Sequence, residues 1–187
     1  MRFLGIDPGI ATVGFGVIEK TGNNYTMIDM GTIVTPKNLD TPERLNIIRT
    51  DLLDLIDTFK PHAVSVEKLY FSTNVKTAMT VAEARGVILE TIFSKGIQVV
   101  EFNPLEIKQA VTGDGKADKK QIQDMLKLLL KLEKAPKQDD AADALASALC
   151  LGQSWEMVKR MGEGVGLHNW AHITRLNNWA AIIELNY

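Results

Sequence analysis

Short apolar segments rich in β-branched and aromatic residues recur along the first hundred positions, and polar turn residues separate them. Segments of this kind are typical of β-strands. The predicted strands are residues 1–7, 12–19, 25–34, 63–67 and 97–101. The first of them ends at the turn signal Asp7-Pro8-Gly9, and Thr21-Gly22-Asn23-Asn24 predicts a hairpin turn between the second and the third.

Helical spacing, with apolar residues three and four positions apart, accounts for most of the remaining pattern. The first helix is predicted to begin at Thr41-Pro42-Glu43 and to end before Pro61. Further helices are predicted at residues 74–94, from Pro104, around the apolar stripe Ile122, Met125, Leu126 and Leu129, and at about 138–151. Three adjacent strands, a helix, and then two strands alternating with helices predict an α/β fold, a mixed five-stranded sheet flanked by helices.

Acidic residues stand at the edges of three distant apolar segments. Asp7 ends the first predicted strand, Glu67 ends the fourth, and Asp140 and Asp143 fall in the alanine-rich last helix. A carboxylate at the end of a buried strand loses hydration, and several converging carboxylates repel one another, so divalent cations with oxygen ligands are the usual remedy. A pair of cations can clamp both oxygens of a phosphodiester displacement. The pattern therefore points to a magnesium-dependent nuclease.

Spacing leaves one ambiguity in the last helix. Asp140 and Asp143 are three positions apart and share a helical face, but Asp139 precedes Asp143 by four positions and can share that face as well. Asp139 can instead complement the helix dipole from the first turn. The neighbouring alanines would let this helix lie tightly on the sheet.

Charge is unevenly distributed, which changes what the overall value of −2 implies. Residues 60–137 carry 13 basic and 9 acidic side chains, whereas both flanking regions are net acidic. This basic middle third is compatible with a nucleic-acid partner. The single cysteine, Cys150, excludes an intramolecular disulfide and fits a reducing, cytoplasmic setting. The apolar runs are too short to span a membrane.

Several motifs resemble, in order and spacing, those of the RuvC Holliday-junction resolvases. They are GIDPG (5–9), GFGVIE (14–19), VSVEKLYF (64–71), AEARGV (82–87) and DDAADALASAL (139–149). The likeness covers about residues 1–152. It implies the RNase H-like fold and a homodimer that resolves four-way DNA junctions by paired symmetric nicks in recombination and repair.

The resemblance also implies roles for particular residues. Asp7, Glu67, Asp140 and Asp143 match the family's catalytic, metal-binding carboxylates, which argues against Asp139 as a ligand. They would hold two Mg²⁺ ions, with Mn²⁺ as a substitute. Tyr70 matches an aromatic position near the junction centre, where a ring can stack on an unpaired base. Lys108 and Lys119 match basic positions near the active site, where an ammonium group can bind phosphate.

Other interpretations remain open from the sequence. An RNase H-like nuclease acting on RNA or RNA–DNA hybrids would use the same carboxylates, and a non-catalytic junction-binding protein would need none of them. An actin-like ATP-binding fold would need a second phosphate loop and about twice the length.

Ala78, Ala82 and Gly86 form a stripe of small residues that packs either on the sheet or on a second subunit. The family also suggests a branch-migration motor as a partner. Residues 1–152 are predicted to form the nuclease domain, and residues 153–187 a C-terminal tail of unknown role.

Overall fold

The computed structural model describes residues 1–68 and 75–164. These residues form the strands β1 (Arg2–Asp7), β2 (Thr12–Thr21), β3 (Asn24–Val34), β4 (Ala63–Glu67) and β5 (Gln98–Phe102). The helices are α1 (Thr41–Phe59), α2 (Val75–Ser94), α3 (Pro104–Thr112), α4 (Lys119–Leu129) and α5 (Asp139–Gly164). The element types and their order agree with those predicted from the hydrophobic pattern.

The strands form one mixed sheet in the order β3-β2-β1-β4-β5. The first three strands pair antiparallel, as the predicted hairpin requires, and β4 and β5 then add in parallel to β1. The predicted α/β fold with a mixed five-stranded sheet is thus confirmed. The central strand β1 and its neighbour β4 come from distant parts of the chain and pair directly.

Three helices begin at side-chain caps that the sequence encodes locally. Asp40, Asn103 and Asp118 each accept a hydrogen bond from the third residue of the helix that follows, and the side chain of that residue bonds back to the cap. Such capping boxes satisfy backbone N–H groups that the first helical turn leaves unpaired. They explain why α1, α3 and α4 begin where they do.

The two faces of the sheet are covered differently. Side chains alternate between the faces along each strand, and Leu4, Ile6, Val64 and Val66 point into a core shared with α1 and α2. The helical contributions to that core are Ile48, Leu52, Ile56, Ala84, Ile88 and Ile92. The opposite face receives α5, and the glycines Gly5, Gly14 and Gly16 lie beneath that helix.

Helix α5 is longer than the sequence predicted, because it continues beyond residue 151 to Gly164. Gly152 does not end the helix. It is buried, and a side chain there would press on Ile18 and Tyr25, each 3.0 Å from the Cβ position. Glycine at this position therefore serves close packing of the helix and not its termination.

Met1–Gln153 form a first compact unit, and the chain from Ser154 onward is grouped separately from it. The first unit contains the whole sheet. Within the part of the chain that the structure describes, no helix combines the length and apolar character needed to cross a membrane.

Candidate active site

Asp7 and Glu67 lie side by side at one edge of the sheet. They are the last residues of β1 and β4, which pair in parallel with Ile6 opposite Val66. Neighbouring strands are about 5 Å apart, so the two carboxylates are direct neighbours. Both side chains are half-buried and lie on the face that α5 covers.

Glycines on β1 and β2 form the seat on which α5 lies. Gly14 pairs with Asp7 across the two strands, and a methyl group on Gly14 would overlap the backbone carbonyl of Asp140. A methyl group on Gly5 would likewise overlap the carbonyl of Ala144. The backbone of α5 therefore rests directly on the strands, and this close approach brings Asp140 and Asp143 to the edge that carries Asp7.

Sequence reasoning attributed the close approach to the alanines of the helix and missed the glycines beneath it. The alanines contribute, since Ala141, Ala144 and Ala148 are fully buried. The available signal was the spacing of Gly14 and Gly16, which places both on one face of β2. Gly5 joins them because it pairs with Gly16.

A buried hydrogen bond fixes where α5 lies along the sheet. The hydroxyl groups of Ser65 and Ser147 are 2.9 Å apart, and both residues are completely buried. Ser65 precedes Glu67 by two positions on the same strand face, and Ser147 follows Asp143 by one helical turn. Because a buried hydroxyl needs a partner, this pair favours the one helix position that puts Asp143 near Glu67.

Burial and mutual repulsion disfavour negative charge on this cluster. Burial, followed by the charges of Glu67, Asp143 and Asp140, raises the pKa of Asp7 from 3.8 to about 8. Burial and then the charge of Asp143 raise the pKa of Glu67 from 4.5 to about 7. The pKa of Asp143 is also raised, chiefly by burial. The carboxylates therefore interact, although they come from three distant parts of the chain.

Two lysines partly offset this negative charge. Lys108, half-buried on α3, lowers the pKa of Glu67, and Lys119, the first residue of α4, lowers that of Asp143. The Lys119 ammonium lies 3.9 Å from an oxygen of Asp143 and 3.1 Å from an oxygen of Asp139. Both lysines that the family resemblance singled out thus lie beside the carboxylates, whereas Tyr70 falls outside the described residues.

The donor set suits hard divalent cations, whose preferred ligands are oxygens. Four half-buried carboxylates are available, and the nearby lysines offset only part of their negative charge. They belong to Asp7, Glu67, Asp140 and Asp143. Within residues 1–68 and 75–164, no three acidic, histidine or cysteine side chains are gathered tightly enough to ligate a single ion.

Known proteins match most of the length of the chain. Residues 3–151 match the family model described as crossover junction endodeoxyribonuclease RuvC. A relative of that description from Petrotoga mobilis is 54% identical over 162 residues, which cover 87% of this chain and 99% of the relative. A relative from Halothermothrix orenii is 48% identical, with 87% and 98% covered.

Solved structures agree with the sequence matches. A Thermus thermophilus RuvC in complex with a Holliday junction substrate superposes with a TM-score of 0.80 at 33% identity. The likeness covers 84% of this chain and 96% of that one. A yeast mitochondrial Holliday junction resolvase has the same fold, with a TM-score of 0.63 at 13% identity.

Proposed function

The chain belongs to the RuvC family of crossover junction endodeoxyribonucleases, and we propose from this membership that it resolves four-way DNA junctions with the carboxylates at the ends of β1, β4 and α5. The family consists of metal-dependent nucleases. The observation that carries the proposal is the position of Asp7 and Glu67, side by side at the ends of the central strand β1 and its neighbour β4, with the charge of Asp143 acting on both.

The four carboxylates would act as metal ligands. Asp7, Glu67, Asp140 and Asp143 offer oxygen donors from three elements, and we propose that they hold two Mg²⁺ ions, with Mn²⁺ as an effective substitute. Such ions supply activation of a water for attack on phosphorus and stabilisation of the departing 3′ oxygen. The protein's own part is to bring the donors to one edge of the sheet, on two paired strands and on a closely seated helix.

The DNA backbone would meet the basic side of this site. Lys108 and Lys119 lie next to the carboxylates and would bind the phosphates that flank the cut. Tyr70 would stack on an unpaired base at the junction centre. Contacts of the lysine type weaken steeply with salt.

We further propose that the protein works as a homodimer through α2. The stripe of small residues faces outward at Ala82 and Gly86, which are exposed, and this excludes packing of these two residues on the sheet. Two large apolar side chains, Met79 and Phe93, are 71% and 47% exposed on the same helix. An apolar stripe on an outer helix suits a twofold interface, and a twofold axis would present two sites for paired incisions.

Residues 1–152 would form the nuclease domain and residues 153–187 a tail outside it. The protein would act in the cytoplasm and receive junctions from a branch-migration motor. A nuclease for RNA–DNA hybrids and a non-catalytic junction-binding protein are the alternatives that the first experiment separates.

That experiment is the cleavage of a labelled synthetic four-way junction, with Mg²⁺ or with a chelator, beside a matched duplex and an RNA–DNA hybrid. Paired symmetric nicks in the junction alone, lost with the chelator, are expected. Cleavage of the hybrid in preference to the junction would keep the chemistry and overturn the substrate. Tight junction binding without cleavage in any divalent metal would leave a binding protein.

A further inference from the structure

Asp139, the first residue of α5, is linked to the first two turns of α4 through both of its carboxylate oxygens. The ammonium of Lys119 donates to one oxygen at 3.1 Å, and the amide of Gln123 lies 3.4 Å from the other. Lys119 and Gln123 are four residues apart and share one face of α4. Asp139 is thus the acceptor for two successive turns of the neighbouring helix, beyond any effect on the dipole of its own helix.

Lys119 has a second acceptor within reach. Its ammonium lies 3.9 Å from a carboxylate oxygen of Asp143, which is 0.8 Å farther than the oxygen of Asp139. The Asp143 side chain is 33% exposed and that of Asp139 is 55% exposed. A positive charge held between two carboxylates moves toward whichever one is left when the other is removed.

The two possible pairings have different consequences at the proposed active site. A lysine in direct contact with Asp143 would compete with a cation for that carboxylate. A lysine held by Asp139 leaves Asp143 free as a ligand and keeps the ammonium at the rim, where a phosphate can reach it. The Lys119 side chain is 64% exposed in this arrangement.

We propose that Asp139 is a positioning residue which, with Gln123, holds Lys119 at the rim of the site and keeps its ammonium from closer contact with Asp143. The inference rests on the proposed function, because it assumes that Asp143 is a metal ligand and that Lys119 meets DNA phosphate. It gives Asp139, which spacing alone could not separate from Asp140, a role distinct from metal binding.

The test measures Mg²⁺ binding without DNA, as the Mg²⁺ concentration that gives half of the maximal thermal stabilisation. In Asp139→Asn, Lys119 is released toward Asp143, so this concentration should rise two- to fivefold, the range that a surface ion pair is worth. Asp139→Glu should restore the wild-type value. Asp57→Asn removes an exposed acceptor of Lys95 at 2.7 Å on another part of the surface and is the matched control.

A double-mutant cycle decides whether Asp139 acts through Lys119. In a Lys119→Met background, Asp139→Asn should leave the Mg²⁺ midpoint unchanged. A shift of equal size in both backgrounds would overturn the inference, because Asp139 would then act by its own charge. An unchanged midpoint for Asp139→Asn in the wild-type background would overturn it as well.

Junction binding in chelator supplies an independent measurement. Asp139→Asn should bind a four-way junction at least as tightly as the wild type, because Lys119 remains and a nearby negative charge is lost, whereas Lys119→Met should bind more weakly. Weaker binding by Asp139→Asn would contradict the proposal. Failure of the wild type to cut the junction would instead count against the proposed function, and the Mg²⁺ midpoints would still decide the role of Asp139.

Discussion

The individual carboxylates of this site are costly to the folded protein when they are charged. Burial and their mutual repulsion raise the pKa of Asp7 to about 8 and that of Glu67 to about 7. A group whose pKa is raised on folding contributes stability below its unfolded pKa, and that contribution is lost as the pH rises through the folded value. The carboxylate cluster should therefore destabilise the folded protein least in acid, and bound cations should stabilise the protein most above neutral pH.

Stability in chelator should consequently fall as the pH rises from about 5 to 8. Between its unfolded and folded pKa values, each such carboxyl group lowers the free energy of unfolding by up to about 1.4 kcal/mol for every unit by which the pH rises. Asp7→Asn should flatten the dependence, and Mg²⁺ should stabilise the wild type most at the upper end. Thermal unfolding at a series of pH values measures this. Asp54→Asn, an exposed change on α1, is the control, and a midpoint that rises between pH 5 and 8 would contradict the assignment.

Replacement of Asp7 also separates catalysis from binding. Asp7→Asn keeps the shape of the side chain and removes the charge that a cation needs, so cleavage of the junction should fall by about two to three orders of magnitude. Junction binding in chelator should stay within about twofold, because phosphate contacts dominate that affinity. Gel-shift and cleavage assays on the same preparation measure both, and a parallel loss of binding would mean that Asp7 acts on the fold.

At the scale of elements, the critical contact is between α5 and the glycines of β1 and β2. In Gly14→Ala the new methyl group meets the carbonyl of Asp140, which is backbone and cannot rotate away. We expect a loss of about 1–3 kcal/mol in the free energy of unfolding, typical of forced overpacking, together with reduced cleavage because Asp140 is displaced. Denaturant unfolding and junction cleavage measure the two effects.

Gly115→Ala is the matched control for that change, since its nearest neighbour lies at an ordinary 3.5 Å. If Gly14→Ala were as stable and as active as this control, α5 would be able to lie farther from the strands without loss of function. The glycines of β1 and β2 would then not be what positions the carboxylates.

The sequence predicted elements well wherever a pattern is local. Strand alternation, helical spacing and the helix start at Pro104 all depend on neighbouring residues, and the structure agrees with them. It predicted less where two distant segments determine the outcome. The meeting of Gly14 with Asp140 and the bond between Ser65 and Ser147 depend on the sheet order, which no single segment encodes. Asp7, Glu67, Asp140 and Asp143 were candidates from their positions alone, and only the choice of Asp140 over Asp139 needed the family's motifs.

For the whole molecule, the proposed twofold assembly makes a simple prediction. Ala82→Glu places a charge in the middle of the exposed stripe on α2, where the two copies would meet. The dissociation constant of the dimer should therefore rise by at least about tenfold. Sedimentation measures the mass, and the cleavage assay should then show single nicks in place of paired ones. Asn46→Glu, on the exposed side of α1, should leave the mass unchanged, and a dimeric Ala82→Glu protein would exclude this interface.

Asp7 and Glu67 lie on β1 and β4, two strands that are paired on both sides, and this has a consequence for local opening. Amide hydrogens in strands that are paired on both sides and fully buried exchange with solvent only through the largest unfolding events. Phe3, Leu4, Val64 and Val66 are such residues, each with no exposed surface. The backbone that carries these two carboxylates should therefore be among the slowest to exchange deuterium, and heating should leave that edge of the sheet intact until the domain as a whole melts.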